Sequence, residues 1–496
     1  MKKWQVSRWV VSGVLCLATA MPGCLANSSD EPAEQDGAMD EGVSDKQDGA
    51  QRTAVQASIQ VDKPYLTIPR SFLGLSQEWP WLGSLTGNPQ IIGMTKQLSA
   101  YNTGPMILRV GGASADQQKT VPVKGVWEGL ARLYRDAGVH YILGLNLAAA
   151  DVELAKSQFL AARQGLPAEA LLSFEIGNEP NYYWAEGYRS TQNWLNGYPA
   201  QFRKFGETLA CTSTPCAYRQ FAGPAWGHIF MEPEKLDWVL GSFHHLLNLI
   251  TVHFYKDTKE TYNDPVTMLD EPALQKAMAS LRLQVAVGKK YGIPVRVGES
   301  NSISNGGRTG VSDAFTSALW AVDTTFELAH NGAVGVNYHQ ASHYGFFEMV
   351  KDASTGQTSV YARPCYLGYL FFQQAVSGDS ALLPKKIQGS AQVKVWPIQQ
   401  GNELRLAVVN KDPRQADVRI DLDSSAYGDG TLTRLLAPSL TAMKGVTLAG
   451  QSYDAVGGKP SGSYRSESVK VNRSGSSSSY AISLPPFSAA LLVVKK

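Results

Sequence analysis

Beyond about residue 58 the chain alternates short apolar, β-branched runs with longer stretches of helical periodicity. The short runs fall at residues 72–76, 106–110, 141–145, 172–176, 220–223, 249–254, 294–297 and 334–338. Short apolar runs bounded by turn-forming residues read as buried strands, and eight of them separated by helices predict a (β/α)₈ barrel. After Cys365 the period changes to strict alternation, with strands expected at 393–398, 403–410, 418–423, 431–436 and 481–494 and no convincing helix. Gly, Ser, Asp and Asn separate these runs, which predicts an antiparallel β-sandwich. Residues 56–66, with Val61-Asp62-Lys63-Pro64 inside, are placed to add a strand to that sandwich before the chain enters the barrel. The implied division is 56–360 for the barrel and 361–496 for the sandwich.

The N-terminus has a different character. Lys2, Lys3 and Arg8 precede an apolar stretch at 9–20, too short to span a bilayer and charged in the order of a secretory signal, so residues 1–23 read as an export signal. Met21-Pro22-Gly23-Cys24 resembles a bacterial lipoprotein box with Cys24 as the lipidated residue. Residues 24–55 are acidic and nearly free of bulky apolar side chains, which predicts a disordered tether. An exported protein, periplasmic, secreted or held at the cell surface by a lipid on Cys24, is the expectation. Of the formal net charge of +2, the first 23 residues contribute +3 and the tether −6, so the folded body carries about +5. A mild basic excess fits an anionic glycan.

At 496 residues the chain exceeds what one core usually organises. Eleven Trp and twenty-one Tyr suit an enzyme that stacks flat rings on sugars, and no basic helix or aromatic-basic stripe points to nucleic acid. Among the five cysteines, Cys211 and Cys216 bracket a short polar loop that a disulfide would close in an oxidising compartment, leaving Cys365 unpaired. His339 and His343 are four apart but follow a strand and lack a partner acid motif, so neither a metal nor any cofactor is expected.

The candidate chemistry lies in two strings: Ser173-Phe174-Glu175-Ile176-Gly177-Asn178-Glu179-Pro180 and Val295-Arg296-Val297-Gly298-Glu299-Ser300. Each glutamate ends a strand-like run, Glu179 the fourth and Glu299 the seventh. Barrel active sites sit where strands end, so both carboxylates are aimed at one cleft. Paired carboxylates on opposite sides of a bond are what glycosidic cleavage requires.

These strings, with Leu108-Arg109-Val110-Gly111-Gly112, His253-Phe254-Tyr255, Val297-Gly298-Glu299-Ser300-Asn301 and Asn337-Tyr338-His339, resemble glycoside hydrolase family 79, the heparanase and β-glucuronidase family of clan A. The resemblance covers nearly all of 58–496. It implies a retaining mechanism, with Glu179 as acid/base and Glu299 as nucleophile. The acid should then have a raised pKa, and the two carboxyls should lie about 5–5.5 Å apart. It further implies that Asn178 binds the sugar 2-hydroxyl, that Tyr255 hydrogen-bonds the nucleophile, and that Glu78, Asp116 and His339 contact sugar hydroxyls or the exocyclic group. In the loop at 300–310, Ser304 and Gly306 fall where family β-glucuronidases bind the uronate carboxylate. The family's tyrosine two residues before this glycine is Ser304 here, and a second tyrosine, after strand eight, falls at Phe346 with Tyr344 close by; Arg308 is placed to compensate. The expected activity is exo-β-glucuronidase on terminal uronic acids. The alternatives are an endo-acting heparanase-like or other clan A β-glycosidase, and a non-catalytic carbohydrate-binding surface lipoprotein.

Overall fold

In the computed structural model, which describes residues 52–101, 104–258, 264–341 and 344–496, the eight apolar runs close into one parallel barrel. Its strands are Leu73–Glu78, Met106–Gly111, Val139–Leu145, Leu171–Ile176, Phe221–Trp226, Leu247–Asp257, Val295–Ile303 and Val336–His339, and the last pairs with the first. Each is buried over most of its length because helices cover the outside, which is why the runs lack polar alternation. Asn88, Asp151 and Asp270 cap their helices through their side chains, and Gly138 and Gly292 end Lys124–Ala137 and Glu271–Tyr291 at φ 65° and 67°.

Some interior positions of the barrel are charged. At its base the buried Arg296 donates from Nε to Asn337 Oδ1 at 2.5 Å and from its Nη atoms to the carbonyls of Ser71, Phe72 and Val336. Burial without a carboxylate lowers its pKa to about 9, so the guanidinium stays charged at neutral pH. Gly335 makes the space, since a Cβ there would overlap the guanidinium.

The second domain is a two-layer sandwich. The smaller sheet runs Lys385–Gly389, Thr53–Ile59, Ala416–Leu422, Ser477–Leu484, Asn472–Ser474, and the larger centres on Val393–Gln400, Glu403–Asn410, Ser488–Lys495 and Gly430–Leu436. Alternation along the larger sheet sorts its side chains. Val395, Leu404, Leu406 and Val408 enter the sandwich core, while Trp396, Ile398, Ala407 and Val409 join the barrel's core. Trp396 stacks on Phe326 of a barrel helix at 5.6 Å. Between the domains lies a buried ionic cluster. Lys411 Nζ is 2.6 Å from both Glu271 Oε2 and Asp323 Oδ2, while Lys394 pairs with Glu271, Asp323 and Glu327.

Several expectations change. Residues 1–51 and His343 lie outside the described residues, so the signal, the lipidation box and nearly all of the tether go undescribed. The tether does not reach 55, because Thr53–Ile59 is a central strand of the smaller sheet. That strand runs parallel to Ala416–Leu422, so the sandwich is not wholly antiparallel. The barrel does not end at 360: Pro364–Ala375 is a helix packed against the barrel helix Phe315–His330. Buried all round, it offers no amphipathic stripe to read. The run at 481–494 is two strands, Ser477–Leu484 and Ser488–Lys495, because Pro485 and Pro486 cannot continue a ladder. A hairpin, Phe347–Lys351 with Thr358–Ala362, also intervenes after strand eight. Cys211 and Cys216 form a disulfide, and Cys365 is free and buried.

Candidate active site

The cleft lies where the barrel strands end. Strand four stops at Ile176, and the chain turns through Gly177 at φ 81° and Glu179 at φ 47°. Gly177 is required there, since a Cβ would come within 2.7 Å of the Tyr183 hydroxyl oxygen and 2.9 Å of Leu147 Cβ. A left-handed glutamate costs on the order of 1–3 kcal/mol and persists only where neighbours hold it. Here the Glu179 amide donates to Ala225 O at 2.9 Å, and its carbonyl accepts from the Tyr182 amide at 2.8 Å. Glu299 sits within strand seven, 9% exposed.

The turn and the strand bring the two carboxylates together. One oxygen of Glu179, one of Glu299 and a ring nitrogen of His253 lie within 4.8 Å of one another. Carboxylate oxygens this close fit the retaining arrangement, in which the two carboxyls stand about 5–5.5 Å apart. The environments of the two differ. Glu299 Oε1 accepts from the Tyr255 hydroxyl at 2.7 Å and Oε2 from Arg109 Nη1 at 2.6 Å. Burial pushes the Glu299 pKa up, but the charges of His339, His253 and Arg109 and the Tyr255 hydrogen bond outweigh it and hold the carboxylate well below the usual range. Glu179, with a 21% exposed side chain, has its Oε1 2.7 Å from His253 Nδ1.

Arg109 organises the floor. It is fully buried and donates to Glu175 Oε2 at 2.6 Å, Ser76 Oγ at 3.3 Å, Glu299 Oε2 at 2.6 Å and Asn178 Oδ1 at 2.8 Å. Its hold on the Asn178 oxygen leaves that residue's amide nitrogen as the group to present to a sugar hydroxyl. His339 hydrogen-bonds Ser76 Oγ through Nδ1 at 3.0 Å, and its Nε2 is 3.6 Å from Glu78 Oε1. Glu78 also accepts from the Ala113 and Ser114 amides, at 3.1 and 2.8 Å. Glu78, Asn178, Tyr255 and His339 therefore converge around the two glutamates.

Asp116 does not face the cleft. It is 4% exposed, and both of its oxygens are taken by protein donors, so the expected sugar contact is corrected: its acceptors are spent on the loops behind the site. Ser304 enters through its backbone, its amide donating to Asp257 O at 3.0 Å. Asn305, Gly306 and Gly307 follow at φ 57°, 85° and 78°. The tyrosine expected after strand eight also moves: Phe346 is fully buried in the core, stacked on Tyr366, and Tyr344 takes its place. The Tyr344 ring lies 6.1 Å from that of Tyr255 and 6.0 Å from that of His339, and Asn301 Nδ2 anchors its carbonyl at 3.0 Å.

The roles of Arg109, Glu175 and His253 are not marked in the linear sequence beyond one shared signal: an ionisable side chain at a barrel-facing position of an otherwise apolar strand needs a partner.

The chain is similar to several known proteins. The glycosyl hydrolase family 79 C-terminal β domain matches residues 395–491. A β-glucuronidase of Aspergillus niger is 23% identical over 483 residues, covering 88% of this chain and 84% of that relative. Among solved structures, a 4-O-α-L-rhamnosyl-β-D-glucuronidase of Fusarium oxysporum has a TM-score of 0.71 at 18% identity, covering 88% of this chain and 99% of that one. An α-L-arabinofuranosidase of Thermotoga maritima has a TM-score of 0.65 at 14% identity, covering 89% and 100%.

Proposed function

The chain belongs to glycoside hydrolase family 79, and from that premise we propose that it is a retaining exo-β-glucuronidase, releasing terminal β-linked uronic acids from glycans or glycoconjugates. The observation that carries the mechanism is the pairing of Glu179 with Glu299 inside 4.8 Å, only the latter fixed between Arg109 and Tyr255. Glu179, holding a proton, gives it to the glycosidic oxygen while Glu299 attacks the anomeric carbon, so the leaving alcohol departs and a covalent glycosyl-enzyme forms. Glu179, now a base, takes a proton from water, and the resulting attack frees Glu299 and returns the sugar with its configuration retained. Arg109 and Tyr255 keep Glu299 anionic for the first step, and His253 aims Glu179. The relatives named as glucuronidases favour a uronic acid as the sugar.

The test uses the purified protein on aryl β-glucuronide, β-glucoside and β-xyloside, with Glu179→Gln and Glu299→Gln beside it. Hydrolysis of the glucuronide with retention, abolished by Glu299→Gln, is the expected result; a glucoside preference refutes the uronate assignment. The signal-like N-terminus supports export, with Cys24 as a lipid anchor. Radiolabelled palmitate should enter the full chain in a bacterial host and not its Cys24→Ala variant.

A further inference from the structure

The mechanism makes no use of Asp116, although this carboxylate is among the most completely hydrogen-bonded side chains near the cleft. It lies on the short helix Ala113–Gln117 that follows strand two. Its Oδ1 accepts from the amides of Leu147 and Ala148, both at 3.1 Å, in the loop after strand three. Its Oδ2 accepts from the amide of Asn178 at 2.9 Å and the hydroxyl of Tyr183 at 2.5 Å, on either side of Glu179. One anion thus ties three successive strand-end loops together. Four donors around a buried carboxylate are stronger than neutral bonds of the same length.

The turn it holds is the one that carries the acid. Gly177 and Glu179 are both left-handed, so without restraint the segment would relax toward commoner backbone angles and take the carboxyl with it. The Asn178 amide is pinned to Asp116 and the Glu179 amide to Ala225 O, clamping the two peptide units that set the direction of the Glu179 side chain. We propose that Asp116 is a positioning residue for the acid/base: its carboxylate fixes the strand-four turn so that Glu179 meets the leaving-group oxygen. The inference rests on the glycosidase reading above. Burial raises the pKa of Asp116 to about 6 against the pull of its donors, as a carboxylate retained in an apolar setting would show.

Asp116→Asn keeps the shape but turns an NH₂ toward donors, releasing at least one amide. A misplacement of about 1 Å at a reacting group costs on the order of 10²-fold. That loss falls only where protonation matters. For an aryl glucuronide with a poor leaving group, such as phenol, kcat/KM should drop about 100-fold, whereas for 2,4-dinitrophenol, which departs without a proton, it should change by less than about 3-fold. A purely structural role would lower both equally, so an equal loss, or none, overturns the proposal. If Asp116→Asn does not fold, Tyr183→Phe decides. It removes one donor and keeps the carboxylate, and should widen the ratio of the two kcat/KM values at least about 3-fold; an unchanged ratio overturns the proposal. Glu179→Gln is the control: if it shows no leaving-group split, the acid/base assignment itself has failed.

Discussion

Tyr255→Phe tests the electrostatics of the nucleophile most directly. It deletes a single oxygen, the one donating to Glu299 Oε1 at 2.7 Å, and leaves Arg109 on Oε2 at 2.6 Å. A hydrogen bond to a charged group contributes about 1.5–3 kcal/mol, and one pKa unit corresponds to about 1.4 kcal/mol. Removing this one should raise the Glu299 pKa by about one to two units. It should not restore an ordinary carboxylate, because the charges of His339, His253 and Arg109 remain. The sign follows: the nucleophile works as the anion, so a higher pKa takes activity away on the acid side. The acid limb of kcat/KM against pH reports the free enzyme's essential base. In the wild type that limb should lie at the acid edge of the accessible range, and in the variant about one to two units higher, with the alkaline limb unmoved. Trapping Glu299 with a 2-deoxy-2-fluoro-glycosyl fluoride across the same pH range isolates the first step. Superimposable acid limbs in two equally folded proteins would refute the claim that Tyr255 holds the charge on Glu299.

Gly227→Ala should cost activity and not the fold, because a Cβ there would overlap the Tyr182 ring edge and stand 3.0 Å from the Glu179 carboxyl carbon; kcat on a phenyl glycoside should fall at least about 10-fold with Tm little changed. Lys411→Met strips one cation from Glu271 and Asp323 at the domain interface, and breaking a buried pair this way costs about 3–5 kcal/mol, to be read by denaturant unfolding. Burial pushes the Asp323 pKa up, but Lys394 and Lys411 overcome it and hold it at about 2 against an ordinary 3.8. That stabilisation is present above about pH 4 and lost as pH falls through about 2, so the wild type should lose more of its stability over this window than Asp323→Asn does.

What could be read in the chain divides along physical lines. The barrel strands were legible because each is a short apolar run cut off by turn formers, and Glu179 and Glu299 because a carboxylate ending such a run has few structural reasons to be there. The helix Pro364–Ala375 was not, since burial on every side erases the periodicity that marks a helix. Neither was the choice of Tyr344 over Phe346. The two stand two residues apart in an irregular loop, and only its backbone decides which ring enters the site and which joins the core. Asp116 sits where a sugar contact belongs in linear order, but the number of amides converging on its carboxylate depends on three loops that no local pattern reports.

The strand Thr53–Ile59 lies between Lys385–Gly389 and Ala416–Leu422, segments made some 330 to 360 residues later. During synthesis its edges stay open while the whole barrel is assembled, because neither neighbour yet exists. Closing the smaller sheet is then a contact of very high sequence separation, the kind that slows folding. The same wiring makes the C-terminal domain unfit for transplantation: a fragment beginning after the last barrel helix would lack an inner strand of its own sheet and present two unpaired edges to any neighbour. Two domains in architecture are therefore one unit in inheritance, to be cut, fused or permuted only as a whole.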